Sequence, residues 1–188
     1  MLKLHIGCGS RVLKGWVNID LAYYTGVGDM GDKWYPLSIR GNESDLLAMD
    51  VTKTPLPFLD GSVDIIFHED FIEHLCQRDQ IGFLAETLRV LRAGGGHRVN
   101  TPNLLQVRRR SDFAKGLHGV CTNPEWDQWK HKNVLTRATL EEMALMVGYS
   151  RVIFNARDRS IFAEHLPLEF RPGRDRQEDE NLFADLIK

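Results

Sequence analysis

The segment from residue 4 to residue 20 constrains the fold more strongly than any other part of this chain. An apolar run, residues 2–6, leads into Gly7-Cys8-Gly9, and a second strand-like run, residues 16–19, ends at Asp20. Only six residues separate Gly9 from Trp16, whereas a crossover helix with its loops needs about a dozen. The sequence therefore predicts two strands joined by a short, glycine-bearing loop without a full helix.

The residues at the ends of these strands predict a ligand site. Gly7 and Gly9 have no Cβ, so a ligand can approach their backbone closely. Asp20 stands at the tip of the second strand, where a carboxylate usually accepts the hydroxyls of a ribose, and Asp50 lies in a third strand-like run. Val12 occupies the place of the third glycine of a dinucleotide motif. Because a helix N-terminus for a pyrophosphate is also lacking, the pattern favours a nucleoside cofactor without phosphate.

The rest of the chain alternates between strand and helix patterns. Apolar residues at helical spacing run from Ile81 to Leu91 and predict a helix that ends at the glycines 94–96. Thr139 and Glu142 predict the capped start of a second helix, which ends at Gly148. This alternation favours an α/β fold with a largely parallel sheet. The remaining predicted strands are residues 46–51, 63–67, 97–100, 151–155 and 181–187.

The composition is that of an ordinary soluble protein. The 188 residues suit one domain, 1–188, and 43% of them are hydrophobic and 27% charged. A net charge of −2 offers no electrostatic attraction to nucleic acid, and no apolar run approaches the ~20 residues that span a bilayer. Neither nucleic acid nor membrane is therefore expected as a partner. Cys8, Cys76 and Cys121 form no CxxC, which favours a reduced, cytoplasmic protein.

Five segments carry a family resemblance. They are residues 4–9 (LHIGCG), 15–20 (GWVNID), 50–51 with 56–64 (LPFLDGSVD), 71–75 (FIEHL), and 86–95 followed by 101–103 (TPN). In this order they resemble the class I S-adenosylmethionine-dependent methyltransferases, and more narrowly the small methyltransferases whose first strand reads LHIGCG. The resemblance implies a Rossmann-like three-layer sandwich with a mostly parallel seven-stranded sheet and an antiparallel last strand. It also implies S-adenosyl-L-methionine as the cofactor.

The resemblance assigns roles to individual residues. The Gly7-Cys8-Gly9 loop would pass beneath the methionine part of the cofactor, Asp20 would accept both ribose hydroxyls, and Asp50 would accept the adenine amino group. His68 would lie near the sulfonium. The predicted cofactor-binding residues are Gly7, Cys8, Gly9, Asp20, Leu21, Asp50, Val51 and His68.

The implied reaction is a direct displacement at the sulfonium methyl group, in which the protein mainly aligns the reacting atoms. A hydroxyl or amine acceptor would also lose a proton. His68, Glu69 and His131 are the predicted catalytic residues, in no fixed order, because each is an ionisable group near the expected site.

The ionisable residues after the fourth strand leave two questions open. An HExxH zinc motif that begins at His68 would need a histidine at position 72, where the chain has Ile72, so no metal is predicted. Glu73 and His74 either line the site or only cap and pack the helix that follows.

Two long connections, 21–45 and 104–135, are expected to cover the acceptor site. They contain Trp34, Tyr35, Trp126 and Trp129, and loops of this length in a compact domain are usually functional or disordered. The predicted acceptor is a small molecule or a sugar-type compound. The run Arg108-Arg109-Arg110 is either an anion-binding patch or a solvated face.

Two other classes of function are compatible with the sequence. The first is a methyltransferase-like binding or scaffold protein without turnover, since His5 replaces a common acidic residue and the first crossover helix is missing. The second is a nucleotide-dependent oxidoreductase, which Val12 disfavours.

Overall fold

The computed structural model describes residues 1–23, 36–107, 130–172 and 177–188. Within these ranges the strands are β1 (Lys3–Ile6), β2 (Val17–Asp20), β3 (Leu46–Ala48), β4 (Val63–Glu69), β5 (Leu91–Pro102), β6 (Arg151–Phe154) and β7 (Asn181–Ile187). The α-helices are α1 (Gln77–Val90), α2 (Leu104–Val107) and α3 (Arg137–Val147). None of these described helices has the length and apolar character needed to cross a membrane.

The strands form one seven-stranded sheet in the order β3-β2-β1-β4-β5-β7-β6. Strands β1 to β5 pair in parallel, whereas β7 runs antiparallel to both β5 and β6. The predicted mostly parallel sheet with an antiparallel last strand is therefore confirmed. Because β1, β2 and β3 are adjacent and parallel, their carboxyl ends meet at one edge, with Ile6 beside Ile19 and Asp20 beside Ala48.

One face of the sheet, which we call the helix face, is apolar and packs against α1 and α3. Leu4, Ile66 and Val99 of the sheet belong to one fully buried cluster with Leu84 of α1 and Leu140 of α3. Each large aliphatic side chain buried in this way contributes about 1.5–3 kcal/mol. The two helices are thus held on the sheet mainly by the hydrophobic effect.

The predicted end of the first helix is wrong by several residues. Helix α1 ends at Val90 and not at the glycines 94–96, because Leu91 has an extended backbone (ψ 139°) and pairs with Val63. The glycines lie within β5, where Gly96 pairs with Ile65. Local helix-stop signals were overridden here by strand pairing.

The predicted start of the second helix is wrong by one turn. The cap of α3 is Thr136, whose hydroxyl accepts a hydrogen bond from the Thr139 amide (3.2 Å). The Thr139 hydroxyl in turn accepts one from the Thr136 amide (2.9 Å). The predicted end is confirmed, since Gly148 adopts a left-handed conformation with φ +113°.

The opposite face, which we call the strap face, is covered by residues 155–172, the strap. A Cβ on Gly96 of β5 would overlap the ring of Phe162, so the glycine allows the strap to pack directly on the strand. The β1–β2 connection is too short to contain a helix, and the strap covers the face of the sheet on which such a helix would pack. The apolar residues of this face and of the strap are Leu13, Trp16, Ile65, Phe67, Phe162, Leu166 and Phe170.

Buried charges tie the strap to the sheet. The fully buried Arg98 of β5 donates to Glu169 of the strap (Nη2–Oε2, 2.7 Å) and to Asp185 of β7 (Nη1–Oδ1, 3.2 Å). Glu69, at the end of β4, accepts hydrogen bonds from the backbone amides of Phe170 (2.8 Å) and Arg171 (3.1 Å). The strap face is therefore held by ion pairs and hydrogen bonds as well as by apolar contacts.

Candidate functional site

A cavity of about 220 Å³ opens at the edge where β1, β2 and β3 end. This is where open parallel sheets generally bind their ligands. Five of the predicted cofactor residues, Gly7, Asp20, Leu21, Asp50 and Val51, line it together. The other residues that line it are Ile6, Ile19, Met49, Thr52, Phe71, His74, Leu75, Asp79 and Lys132.

The glycine loop after β1 is shaped by two left-handed residues. Gly7 (φ +65°) donates its amide to the Ile19 carbonyl (2.8 Å), and a Cβ at this position would overlap the ring of Phe71. Gly9 (φ +54°) has open space where its Cβ would be. Gly7 is therefore required by packing as well as by backbone conformation, and Gly9 leaves an unobstructed surface.

Cys8, between the two glycines, does not line the cavity. Its side chain is fully buried, and burial raises the pKa of its thiol to about 12. The thiol thus remains neutral at physiological pH, so Cys8 contributes packing at this point of the loop.

The Asp20 carboxylate is held in place by the backbone around it. Its Oδ2 accepts the Gly9 amide and its Oδ1 accepts the Leu21 amide, each at 2.7 Å. The described residues supply no further donor, so one lone pair remains on each oxygen, since a carboxylate oxygen can accept two hydrogen bonds. The group is preorganised to accept two adjacent hydroxyls from a ligand in the cavity.

Asp50 lies on the same cavity, beyond the end of β3. Its Oδ1 accepts hydrogen bonds from the Thr52 hydroxyl (2.6 Å) and amide (3.0 Å), and Lys53 pairs with Oδ2 at 2.9 Å. The Thr52 hydroxyl, followed by Lys53, lowers the pKa of the Asp50 carboxyl to about 2. Asp50 is therefore ionised at neutral pH and can accept a hydrogen bond beside the apolar wall that includes Val51.

His68 does not reach the cavity. Its ring is fully buried behind Phe71, with ring centroids 5.8 Å apart, and its Nδ1 lies 2.9 Å from Nε2 of His97. Burial lowers the pKa of His68 to about 3. The backbone direction at the end of β4 turns this side chain towards the helix face, away from the position expected near a sulfonium.

Glu69 faces the strap. Besides the Phe170 and Arg171 amides, its carboxylate accepts Asn100 Nδ2 (3.0 Å) and forms an ion pair with Arg11. Glu69 is 1% exposed and does not line the cavity. Its carboxylate is engaged by the strap amides, by Asn100 and by Arg11, so Glu69 is an unsuitable base for an acceptor in the cavity.

The third predicted catalytic residue, His131, lies against the cavity wall. Its ring packs edge-on against His74, which lines the cavity, with centroids 4.9 Å apart. His131 Nε2 is 3.8 Å from Oε1 of the fully buried Glu73. The Glu73 carbonyl accepts hydrogen bonds from the amides of Lys132 (2.8 Å) and Asn133 (3.1 Å), which attaches this segment to the turn after β4.

The electrostatics of this cluster are dominated by burial. Burial, followed by the charge of His131, lowers the pKa of His74, so its imidazole is neutral near pH 7. Burial, followed by the charge of Asp70, raises the pKa of Glu73 well above its usual range. From the sequence it was open whether these two residues line the site or only cap and pack the helix that follows. The signal that could have identified them is their position just after β4, whose carboxyl end reaches the same edge as β1.

Several predicted residues lie outside the described part of the chain. They are Trp34, Tyr35, Trp126 and Trp129 of the two long connections, the run 108–110, and Cys121. Of the segments 21–45 and 104–135, the structure describes 21–23, 36–45, 104–107 and 130–135. Leu21 and Lys132 from these described portions line the cavity.

Comparison with known proteins identifies the family. Residues 4–98 match the model of the methyltransferase domain. Over 105 residues the chain is 44% identical to a protein of Mycolicibacterium smegmatis described as a probable S-adenosylmethionine-dependent methyltransferase, covering 56% of this chain and 35% of that one. The chain thus spans about a third of the length of this curated relative.

Solved structures share the fold at low sequence identity. A methyltransferase from Archaeoglobus fulgidus described as SAM-dependent superposes with a TM-score of 0.58 and 14% identity, covering 99% of this chain and 85% of that chain. Phosphoethanolamine N-methyltransferase 2 from Haemonchus contortus was solved in complex with phosphomonomethylethanolamine and S-adenosylhomocysteine. It superposes with a TM-score of 0.59 and 13% identity, covering 100% of this chain and 49% of that chain. With the family match over half of the chain, the chain belongs to the class I S-adenosylmethionine-dependent methyltransferases.

Proposed function

We propose that this chain transfers the methyl group of S-adenosylmethionine to a small-molecule acceptor. The observation that carries the proposal is the Asp20 carboxylate, which the amides of Gly9 and Leu21 hold at the cavity; one lone pair of each oxygen is left unused by the described part of the chain. A ribose diol is the ligand group that this arrangement fits. Asp50 and the apolar wall beside Val51 provide the matching place for adenine.

The cofactor supplies a sulfonium methyl group that is already activated by its positive charge. The chain's part is to hold the cofactor and align it with the acceptor, so that the acceptor's lone pair attacks opposite the leaving sulfur. The ribose and adenine ends are assigned to Asp20 and Asp50. The methionine end then runs along the glycine loop, where Gly9 leaves open space.

We place the acceptor at the end of the cavity formed by His74, Asp79 and Lys132. These three side chains supply an imidazole, a carboxylate and an ammonium group, which suit a small polar or sugar-type molecule better than an apolar one. Of the three predicted catalytic residues, His131 is the one that lies at this end, through its contact with His74. An acceptor hydroxyl or amine would lose its proton there.

The assignment of Asp20 is tested by calorimetric titration with S-adenosylhomocysteine. Asp20→Ala is expected to weaken binding at least tenfold, because the ribose hydroxyls lose a charged acceptor worth about 1.5–3 kcal/mol. Asp60→Ala is the matched control, since Asp60 is exposed and pairs with Arg89 away from the cavity. Equal affinity in wild type and Asp20→Ala would contradict the assignment. A Gly7 substitution is a poorer test, because its Cβ would displace Phe71.

Turnover separates an enzyme from a binding or scaffold protein that shares this fold. We expect S-adenosylhomocysteine to accumulate when the protein is incubated with S-adenosylmethionine and a panel of small hydroxyl and amine acceptors that includes sugars. Tight cofactor binding without product over the whole panel would favour the scaffold alternative. A calorimetric response to NAD or NADP would revive the oxidoreductase alternative.

We further propose a cytoplasmic protein of one domain, 1–188, without a nucleic-acid or membrane partner. The support is the absence of a strong net charge and the unpaired state of Cys8 and Cys76.

A further inference from the structure

We propose that Glu73, His74 and His131 bind one first-row divalent transition-metal ion at the wall of the cofactor cavity. One ligand atom from each residue, a carboxylate oxygen and two imidazole nitrogens, lies within 4.8 Å of the other two. The site differs from the HExxH motif, because its ligands come from the turn after β4 and from residue 131.

The ligand atoms lie somewhat farther apart than they would around a bound ion. Glu73 Oε1 and His131 Nε2 are 3.8 Å apart, and the two imidazole rings meet at 78° with centroids 4.9 Å apart. Ions of this class bind nitrogen and carboxylate oxygen at about 2.0–2.2 Å. Neighbouring ligand atoms then lie roughly 3–3.5 Å apart, so side-chain movements of about 1 Å would complete the site.

Glu73 lacks a partner that a cation would supply. Its side chain is fully buried, and its Oε1, which faces His131, accepts no hydrogen bond in the described structure. Its Oε2 accepts the Thr101 hydroxyl at 2.9 Å. A buried carboxylate with an unsatisfied oxygen is costly. The nearby arginine, Arg171, pairs with Asp70 at 3.0 Å. A metal ion between the three ligands would place a positive charge directly at the Glu73 carboxylate.

A second set of contacts orients the ligands. The Thr101 hydroxyl fixes the Glu73 carboxylate through a hydrogen bond to Oε2. The Glu73 carbonyl accepts hydrogen bonds from the amides of Lys132 and Asn133, which holds His131 opposite the carboxylate. Outer contacts of this kind orient the ligands of a metal site. Glu73 and the segment that carries His131 are therefore already positioned.

The ligand set selects the class of ion. Two imidazoles and one carboxylate suit Zn²⁺, Fe²⁺ or Co²⁺, whereas Mg²⁺ and Ca²⁺ prefer oxygen ligands throughout. Three protein ligands leave at least one coordination position open. Because His74 lines the cavity, this position is available to a ligand in the cavity.

The role of the ion rests on the proposed methyl transfer. An acceptor hydroxyl bound to the ion would have a lower pKa and would release its proton to solvent. Its oxygen would then form the new O–C bond with the methyl group while the C–S bond breaks, leaving S-adenosylhomocysteine. In this arrangement the two histidines act as ligands and not as bases.

Metal binding is tested directly on the untagged protein after removal of metal with a chelator. Calorimetric titration with Zn²⁺ is expected to give one ion per chain, and Co²⁺ is expected to produce visible absorption bands of a bound complex. Glu73→Gln, His74→Asn and His131→Asn should each lower the Zn²⁺ affinity tenfold or more. His165→Asn is the matched control, because His165 forms a similar pair with Glu164 (3.1 Å) on the surface.

The outcomes are distinguishable from those of the proposed function. Wild-type protein that takes up no more Zn²⁺ than folded His131→Asn would overturn the metal site. Circular dichroism checks that each variant folds, and His131→Asn carries the test if Glu73→Gln does not. S-adenosylhomocysteine binding is measured in parallel. A protein that binds Zn²⁺ but no S-adenosylhomocysteine would contradict the proposed function alone. A protein that binds S-adenosylhomocysteine but no Zn²⁺ would contradict the metal site alone.

Discussion

The two faces of the sheet are built by different physical means. The helix face is covered by α1 and α3 and consists of aliphatic side chains in one cluster, to which Leu84 and Leu140 belong. The strap face is covered by residues 155–172 and contains fully buried charges, above all Arg98 and Asp185. A helix buries an apolar stripe and satisfies its own backbone, whereas an irregular strap must find partners for its amides on the sheet.

This difference explains why several strand residues of the strap face are polar, although others, such as Ile65 and Phe67, are apolar. Glu69 accepts the Phe170 and Arg171 amides of the strap, and Asn100 donates to Glu69 (3.0 Å) and to the Arg171 carbonyl (3.2 Å). A residue that looks catalytic in the sequence can therefore be an anchor for a chain segment that lacks regular structure.

Arg98→Met is expected to lower the free energy of unfolding by about 3–5 kcal/mol. The variant leaves Glu169 and Asp185 buried without their cation. Urea denaturation measures the effect, and Arg92→Met is the control, since Arg92 forms a half-exposed pair with Asp64. Equally small losses of unfolding free energy in Arg98→Met and Arg92→Met would show that the strap does not depend on its ionic contacts.

Leu84→Ala tests the helix face in the same assay. A cavity in the apolar cluster is expected to cost about 3 kcal/mol. Leu145 lies on α3 with its side chain exposed, so Leu145→Ala should cost much less. An equal loss in Leu84→Ala and Leu145→Ala would contradict the role of the apolar cluster in holding the helix face.

Gly96→Ala tests the close contact between β5 and the strap. The added Cβ must displace Phe162, at a cost of about 1–3 kcal/mol in unfolding free energy. Gly82→Ala on α1 is the matched control, because its Cβ enters open space and alanine favours a helix by about 1 kcal/mol. The double variant Gly96→Ala/Phe162→Ala should lose less unfolding free energy than the sum of the losses of the two single variants. Strict additivity would show that the two residues do not interact.

His5, buried on the strap face, makes the stability of the protein depend on acid pH. Burial is the main cause that lowers the pKa of His5, on the strap face, to about 3, from an ordinary value of 6.5. As the pH falls, His5 is therefore protonated in the unfolded chain before it is protonated in the folded protein. The stability that comes from burying neutral His5 is present above pH 6.5 and is lost as the pH falls towards 3. By pH 5.5 the loss is about 1.4 kcal/mol.

Replacement of His5 isolates this contribution. The unfolding free energy of His5→Phe, measured between pH 7.5 and 5.5, should fall by about 1.4 kcal/mol less than that of the wild type. Phenylalanine can keep the stacking of His5 on Phe67, whose ring centroid is 5.2 Å away. Parallel pH curves for the two proteins would contradict the prediction.

Much of the fold could be predicted because local signals and pairing agree. The strand Asn181–Ile187, the end of α3 at Gly148 and the short β1–β2 connection were all readable in the sequence. The end of α1 was not readable, because the pairing of Leu91 with Val63 depends on a residue far away in the chain. Local helix-stop signals do not contain that information.

The candidate site divides in the same way. Gly7, Asp20 and Asp50 are strand-end residues, and parallel strands bring their carboxyl ends together whatever else the chain does. His68 and Glu69 follow one another on β4, and consecutive strand residues point to opposite faces. One therefore packs behind Phe71 and the other binds the strap.

The class of fold, the glycine loop and the carboxylates that face the cavity follow from the sequence alone, because they depend on strand ends and local backbone conformation. Which ionisable residues meet depends on the packing of distant segments. Glu73 and His131 are 58 positions apart in the sequence, yet the Glu73 carbonyl accepts hydrogen bonds from the amides of Lys132 and Asn133, and the two side chains lie 3.8 Å apart. Such contacts between distant segments depend on how the segments pack, and no local pattern encodes them.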